Sequence, residues 1–208
     1  MREIARALGK GPRADDVALA LSVGSAAIDE GRTDVALEAL RWAKSQAPRI
    51  AAIREALGVA WYLDESFDEA LRELQAYRRM TDRNDQNHLI ADCERALGKS
   101  LDQIAATASA LVSDERAPLD RRAEAAIVWA GAMADDGDVP GGRAVLRRFL
   151  RGQRLEEVET RVRVHYVVAD LAERAGDVAT ASEAFGEVVR LSADYLDAAD
   201  RLRMLGAS

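Results

Sequence analysis

Two histidines and one cysteine are the side chains best suited to nucleophilic catalysis or zinc binding in this chain: His88, His165 and Cys93. A catalytic Cys–His pair requires the imidazole within hydrogen-bond reach of the thiol. His88 and Cys93 are five residues apart in sequence, so on a helix they point about 140° apart and diverge. Three such ligands are also too few for a structural zinc site. We therefore predict a protein that is not an enzyme and holds no metal and no cofactor.

Arginines form a second group with a chemical role to consider. They recur at near-helical spacing as Arg143, Arg147, Arg151 and Arg154, with Arg148 beside them. Such a stripe suits phosphate, nucleic acid or an acidic partner, or it is a solvated face balanced by nearby glutamates. Because Glu156, Glu157 and Glu159 follow the stripe and balance its charge, the solvated face is the interpretation we favour.

The composition is that of a folded, acidic protein. The 208 residues are 49% hydrophobic and 31% charged, and 29 basic against 36 acidic side chains give a net charge of −7. Excess negative charge disfavours phosphate backbones, so we expect no nucleic-acid partner. No apolar run approaches the roughly 20 residues of a membrane helix, and the N-terminus lacks the apolar core of a secretory signal. One cysteine fits a reducing compartment, so we predict a cytoplasmic protein without membrane contact.

The elements that position these residues follow a 34-residue repeat. Leu57, Gly58 and Trp61 are followed by Ala70 and Leu74, and small and large apolar residues recur in the same columns along the chain. Every copy has a polar or glycine-containing turn at its middle. Such self-similarity indicates stacked helix–turn–helix units. The copies are 17–50, 51–84, 85–118, 123–156 and 162–195, with short insertions at 119–122 and 157–161.

Each half of a unit has the pattern of an amphipathic helix. In 52–63, apolar residues recur at i, i+3, i+4, i+7 and i+8, which places them on one helical face. Ser66 with Glu69 predicts a capping box at the start of the next helix. Ser100 and Asp138 are predicted to cap later helices with their side chains.

This pattern resembles a bacterial member of the tetratricopeptide repeat (TPR) family. The unit 51–84 departs from the family signature at Arg54, where an aromatic residue is usual, and at Asp82, where proline is usual. It matches the signature at Leu57, Gly58, Trp61, Phe67, Ala70 and Leu74.

The resemblance implies an all-α fold, a right-handed α-solenoid of about five repeats, with a partner-binding role and no catalysis. We expect the repeats in 17–195, an N-terminal capping helix and linker in 1–16, and a C-terminal capping helix in 196–208. Polar-faced caps keep such arrays soluble. In the C-terminal cap we expect Leu196 to face inward and Arg201 to face water.

The resemblance also implies that the first helix of each unit lines a concave groove. We predict that the groove binds a peptide or helix of a partner protein with apolar anchors and basic residues alongside. The alternative is that these apolar residues pack against neighbouring helices. The predicted apolar floor is Val59, Tyr62, Leu63, Leu89, Ile90 and Cys93, and the acidic flanks are Glu55, Glu124 and Asp170 together with Asp29, Asp135 and Glu173.

A second hypothesis is a self-associating structural protein. In that case the apolar patch around Tyr62 and Leu89, or an open end of the array, pairs with another copy of the chain. Some family members grip a partner's C-terminal carboxylate with Lys, Asn and Arg, and we do not expect that mode. The corresponding positions are Leu21, Ser25, Ala56, Leu89 and Ile90.

Overall fold

A computed structural model describes residues 2–206, and in that range the chain is helical with no β-strand. The all-α class predicted from the repeat is confirmed. Twelve helices occur among these residues: α1 Arg2–Leu8, α2 Pro12–Asp29, α3 Thr33–Gln46, α4 Ala51–Leu63, α5 Phe67–Thr81, α6 Asn87–Ala96, α7 Leu101–Val112, α8 Leu119–Asp135, α9 Val139–Leu150, α10 Val158–Arg174, α11 Val178–Leu191 and α12 Ala198–Gly206.

The helices belong to two compact units, Met1–Gly98 and Lys99–Ser208, called unit 1 and unit 2 below. Unit 1 contains α1 to α6 and unit 2 contains α7 to α12. The boundary falls between α6 and α7, which are the two helices inside the predicted repeat 85–118.

In unit 1 each helix packs against the next one along the chain. In addition, α4 contacts both α2 and α6, so the first helices of successive pairs adjoin one another. Close approach within the pair α4/α5 depends on Gly58, because a Cβ at that position would lie 2.7 Å from the side chain of Leu74. The predicted alternation of small and large residues therefore has a direct packing role.

In unit 2 the same arrangement is built mainly on alanine. α8 contacts α7, α9 and α10, and α10 contacts α9 and α11. Ala123, Ala126 and Ala130 are fully buried on α8. A Cβ at Gly142 on α9 would lie only 2.5 Å from the Ala130 carbonyl oxygen, so this helix pair is in backbone contact.

Helix starts follow the predicted caps in two of three cases. The Ser100 hydroxyl accepts a hydrogen bond from the Gln103 amide at 3.3 Å, and the Asp138 carboxylate accepts one from Gly141 at 2.8 Å. The capping box at Ser66 is wrong: its hydroxyl donates to Asp64 at 2.7 Å. The hydroxyl is oriented towards Asp64, and its oxygen accepts no hydrogen bond from an amide at the start of α5.

Three first helices begin earlier than the repeat period suggests. α2 begins at Pro12, so residues 12–16, expected to be a linker, are its first turns. α8 and α10 likewise take up most of the predicted insertions 119–122 and 157–161. Proline is the physical reason in two cases, since its fixed φ suits a helix start at Pro12 and immediately before α8.

The C-terminal helix differs from its prediction in register. Leu196, expected to face inward, is 70% exposed, in a left-handed backbone conformation before α12 begins. Ala198 is buried instead, which turns Arg201 inward. The Arg201 side chain is only 15% exposed, and its guanidinium lies 4.6 Å from the centre of the Phe185 ring.

Candidate functional site

The predicted groove residues of unit 1 lie on the adjoining helices α4 and α6. Val59, Tyr62 and Leu89 are half-buried, whereas Leu63 is 48% exposed. Apolar side chains are therefore accessible from solvent on this pair of first helices. We call Glu55, Val59, Tyr62, Leu63 and Leu89 the α4–α6 face.

Hydrogen bonds between α4 and the α6 segment hold this face in place. The Tyr62 hydroxyl donates to Asp92 at 2.6 Å, and the Gln86 side-chain amide donates to Glu55 at 2.6 Å. Glu55 also contributes negative potential to its surroundings. Burial, reinforced by the carboxylates of Glu55 and Asp85, raises the pKa of Tyr77 to about 12.

Ile90 and Cys93, which the helical phase assigned to the groove floor, have no exposed surface. Both pack in an apolar cluster with Leu71 and Leu74 of α5, so they belong to the core and cannot touch a partner in this structure. Burial, with the neighbouring Asp92 and Glu94 carboxylates, raises the pKa of the Cys93 thiol to about 12. The apolar surface that a partner can reach is therefore smaller than the predicted floor, because it lacks Ile90 and Cys93.

The predicted acidic flank in unit 2 is already paired with arginines of the same chain. Glu124 on α8 lies 2.7 Å from Arg163 on α10, and Asp170 lies 2.8 Å from Arg201 on α12. Glu173 also binds Arg201, at 2.5 Å. These three members of the predicted acidic flank therefore already have cationic partners within the chain.

Arg201 lies among the predicted acidic flank residues of unit 2, although the sequence pattern predicted that it faces water. Burial lowers the pKa of Arg201, but its hydrogen bonds to Asp170 and Glu173 together outweigh this effect and raise the pKa above its usual value. The signal that identifies it is the packed stripe of α12: Ala198 and Leu205 pack in the core cluster, and Arg201 lies three residues after the first and four before the second, at the edge of the same face.

Unit 1 has a cleft of about 630 Å³ on the side of its second helices, between α3, α4 and α5. Glu73 is buried there and accepts a hydrogen bond from Arg54 at 2.6 Å and another from Lys44. The guanidinium of Arg41 lies 5.8 Å from the centre of the Trp61 ring. Sequence reasoning did not identify this cleft, because it considered only the first helices.

Unit 2 has a corresponding cleft of about 590 Å³, lined by α9, α10 and α11. Three residues of the arginine stripe line it, namely Arg143, Arg147 and Arg151, whereas Arg148 does not. Arg154, the fourth residue of the stripe, lines a different depression. The lining is completed by Leu146, Leu150, Val168, Leu171 and Thr180.

Metal binding and membrane insertion can both be judged from residues 2–206. No three His, Cys, Asp or Glu side chains of this range lie close enough together to share a metal ion. Within the same range, no helix combines the length and the apolar character needed to cross a bilayer.

Comparison with known proteins gives matches at the level of structure. No protein-family profile and no curated protein sequence matches the chain. Among solved structures, the Cut9–Hcn1 hetero-tetramer of APC/C contains a chain that matches 99% of this one with a TM-score of 0.77 and 8% identity. This match spans only 39% of that longer chain.

Two smaller proteins are similar over nearly their whole length. TTC0263, a TPR protein of Thermus thermophilus, matches 92% of this chain and 100% of its own, with a TM-score of 0.63 and 17% identity. YrrB, also a TPR protein, matches 88% of this chain and 90% of its own, with a TM-score of 0.58 and 12% identity. The fold of this chain is that of the tetratricopeptide repeat proteins.

Proposed function

We propose that this protein is a protein-interaction scaffold whose α4–α6 face binds a peptide or helix of a partner protein. The observation that carries the proposal is Leu63, an apolar side chain 48% exposed beside half-buried Val59 and Leu89 on adjoining helices. Burial of apolar area against a partner would supply the binding energy. Because the single cysteine fits a reducing compartment, we assign this role to the cytoplasm.

The charge of this face favours a partner with a basic residue beside its apolar anchors. Glu55 is half-buried at the edge of the face, where it accepts a hydrogen bond from Gln86. A nearby Lys or Arg of the partner would set orientation and association rate more than affinity. Glu124 and Asp170 are already paired with arginines, and therefore we assign recognition to unit 1.

Two of the similar structures support a role in protein binding. YrrB is described as having an unusual peptide-binding site, and the Cut9–Hcn1 structure is a complex of two kinds of chain. These properties belong to those proteins. They support the proposal because the present chain shares their fold and has an accessible apolar face on its first helices.

The proposal is tested with peptides selected from a random display library on the immobilised full chain. Fluorescence anisotropy then compares their binding to the wild type, Leu63→Glu and Leu19→Glu. Leu19 is also exposed, but it lies on α2 outside the α4–α6 face. We expect Leu63→Glu to weaken binding at least about tenfold, which corresponds to about 1.4 kcal/mol, and Leu19→Glu to leave it within about twofold, or about 0.4 kcal/mol.

Equal weakening by both variants, or no effect of either, contradicts the proposal. Self-association is the second candidate function, because an exposed Leu63 can also pack in an interface between two copies of the chain. Sedimentation of the wild type at two concentrations tests it. A dimer that Leu63→Glu dissociates favours that alternative. A strict monomer eliminates it.

A further inference from the structure

The clefts of the two units occupy equivalent places in the repeat. Arg41 in unit 1 and Arg147 in unit 2 are the same repeat position, and Leu57 and Val168 are another shared position in the lining. Each cleft lies between two successive second helices and the first helix that connects them. The unit 1 cleft can therefore serve as an internal reference for unit 2.

In unit 1 three of the five basic residues that line the cleft pair with carboxylates of the same chain, and Arg41 contacts the Trp61 ring instead. Glu73 binds Lys44 and Arg54, and Glu69 lies 2.8 Å from Arg72. These carboxylates come from α5, the later second helix. Glu73 reaches cations on the two preceding helices, α3 and α4, whereas Glu69 pairs with Arg72 on its own helix.

In unit 2 the equivalent positions carry no such groups. The repeat position of Glu69 in unit 1 is occupied by Thr180 in unit 2, and that of Glu73 by Ala184. The position of Trp61, whose ring contacts Arg41, is occupied by Ala172. Arg143 is paired with Asp177 at 2.5 Å. Within residues 2–206, neither Arg147 nor Arg151 has a carboxylate within ion-pair distance.

The floor of the unit 2 cleft is apolar. Leu146 and Leu171 form its buried part, and Leu150 and Val168 line it beside the arginines. A ligand that fits must therefore bring both negative charge and hydrocarbon. A volume near 590 Å³ lies within the range of about 300–1,000 Å³ typical of binding sites.

We propose that the unit 2 cleft binds an acidic segment of another protein, in which carboxylates alternate with apolar side chains. Arg147 and Arg151, the two lining arginines that are not paired with a carboxylate of residues 2–206, are four residues apart, so their Cα atoms are about 6 Å apart at the end of α9. Alternate residues of an extended chain are about 6.6 Å apart, which places successive carboxylates beside successive arginines. This site is separate from the α4–α6 face and takes a partner of opposite charge.

Nucleic acid fits the same arginines less well. The cleft has no aromatic lining residue on which a base could stack. The chain as a whole carries a net charge of −7, which repels a polyanion more strongly than a short segment with two or three carboxylates. An apolar floor also gives no advantage to a phosphate backbone.

The test uses the full chain and a short fluorescein-labelled peptide of alternating Glu and Leu, measured by fluorescence anisotropy at moderate salt. A Gln–Leu version of the peptide and a labelled oligothymidine are the comparison ligands. The protein variants are Arg147→Glu, Thr180→Glu and the matched control Arg148→Glu, which changes the same charge on α9 outside the cleft. Leu63→Glu is included because it changes only the α4–α6 face.

Thr180→Glu introduces into unit 2 the carboxylate that unit 1 has at this repeat position. The residue lies in the first turn of α11, where an acidic side chain stabilises a helix. It therefore remains informative if Arg147→Glu fails to fold, as judged by circular dichroism. We expect saturable binding of the Glu–Leu peptide that both cleft variants weaken at least about tenfold, about 1.4 kcal/mol. Arg148→Glu and Leu63→Glu should leave it within about twofold, or about 0.4 kcal/mol.

Three outcomes overturn the proposal. The first is absence of saturable binding of the Glu–Leu peptide. The second is equal weakening by Arg147→Glu and Arg148→Glu, which would show only general attraction to a basic surface. The third is tighter binding of oligothymidine than of the peptide with the same dependence on Arg147, which would assign the cleft to nucleic acid.

Discussion

At the scale of single residues, Glu73 shows how this small-residue fold uses a buried charge. Its surface is 6% exposed, and it joins Lys44 of α3 to Arg54 of α4 from its own place on α5. One carboxylate thus connects three consecutive helices at the base of the unit 1 cleft. A buried charge is tolerated only where such partners compensate for its lost hydration.

Glu73→Gln is expected to destabilise the chain by about 1.5–3 kcal/mol, because it leaves two cations without their common anion. Urea denaturation followed by circular dichroism measures this loss. Glu69→Gln is the matched control, since Glu69 pairs with the exposed Arg72, and a surface pair contributes only about 0–1 kcal/mol. Equal losses in the two variants would contradict the role assigned to Glu73.

Cys93 provides a residue-scale test of which side of α6 faces the core. With a pKa near 12 and no exposed surface, the thiol should react with a thiol reagent at pH 8 on the order of a thousandfold more slowly in the folded chain than in urea. Absorbance of the released chromophore measures both rates. Similar rates would place Cys93 on an open surface, as the sequence-based groove prediction had it.

At the scale of helices, close packing depends on positions that have no room for a side chain. Gly142 on α9 faces the Ala130 backbone on α8, and Gly58 on α4 faces Leu74 on α5. Backbone contact cannot adjust by changing a rotamer, whereas the Leu74 side chain can. The α8/α9 pair should therefore tolerate an added methyl group least.

Gly142→Ala is expected to cost about 1–3 kcal/mol, because its Cβ would lie 2.5 Å from a carbonyl oxygen. Gly186→Ala is the control: no atom of the described chain lies within 4 Å of its added Cβ, so a better helix former should stabilise α11 by up to about 1 kcal/mol. Urea denaturation of both variants measures these changes. Changes of the same sign would contradict the packing described for α8 and α9.

Much of the helical framework could be predicted from the repeat, and the helix starts less well. The period positions the turns, since every copy needs one between its two helices. The starts of α2 and α8 depend instead on Pro12, which precedes the repeats, and on Pro118, the last residue of the copy 85–118. The register of α12 depends on the left-handed backbone at Leu196, and a helical pattern alone does not reveal such a turn.

The candidate site was harder to predict because helical phase gives a face but not the depth of a residue below it. It groups Val59, Tyr62 and Leu63 on one side of α4, where the first two are half-buried and Leu63 is 48% exposed. It also assigned Ile90 and Cys93 to the same surface, although α5 covers them. Ion pairs such as Glu124–Arg163 join residues 39 positions apart, and no local pattern indicates them.

At the scale of the whole molecule, the chain combines a fold of stacked helix pairs with two accessible surfaces of different chemistry. Unit 1 presents an apolar face with Glu55 at its edge, and unit 2 presents an apolar cleft with Arg147 and Arg151. The two surfaces would select partners of opposite charge. The two proposals together describe a scaffold that brings two different segments together.

The most direct measurement of the central claim is a nuclear magnetic resonance titration of the isotope-labelled full chain with a peptide selected from the display library. Amide resonances report contact residue by residue. The account predicts that the largest shifts occur in α4, Ala51–Leu63, and α6, Asn87–Ala96, and that Leu63→Glu abolishes them. Shifts confined to other helices, with α4 and α6 unchanged, would contradict it.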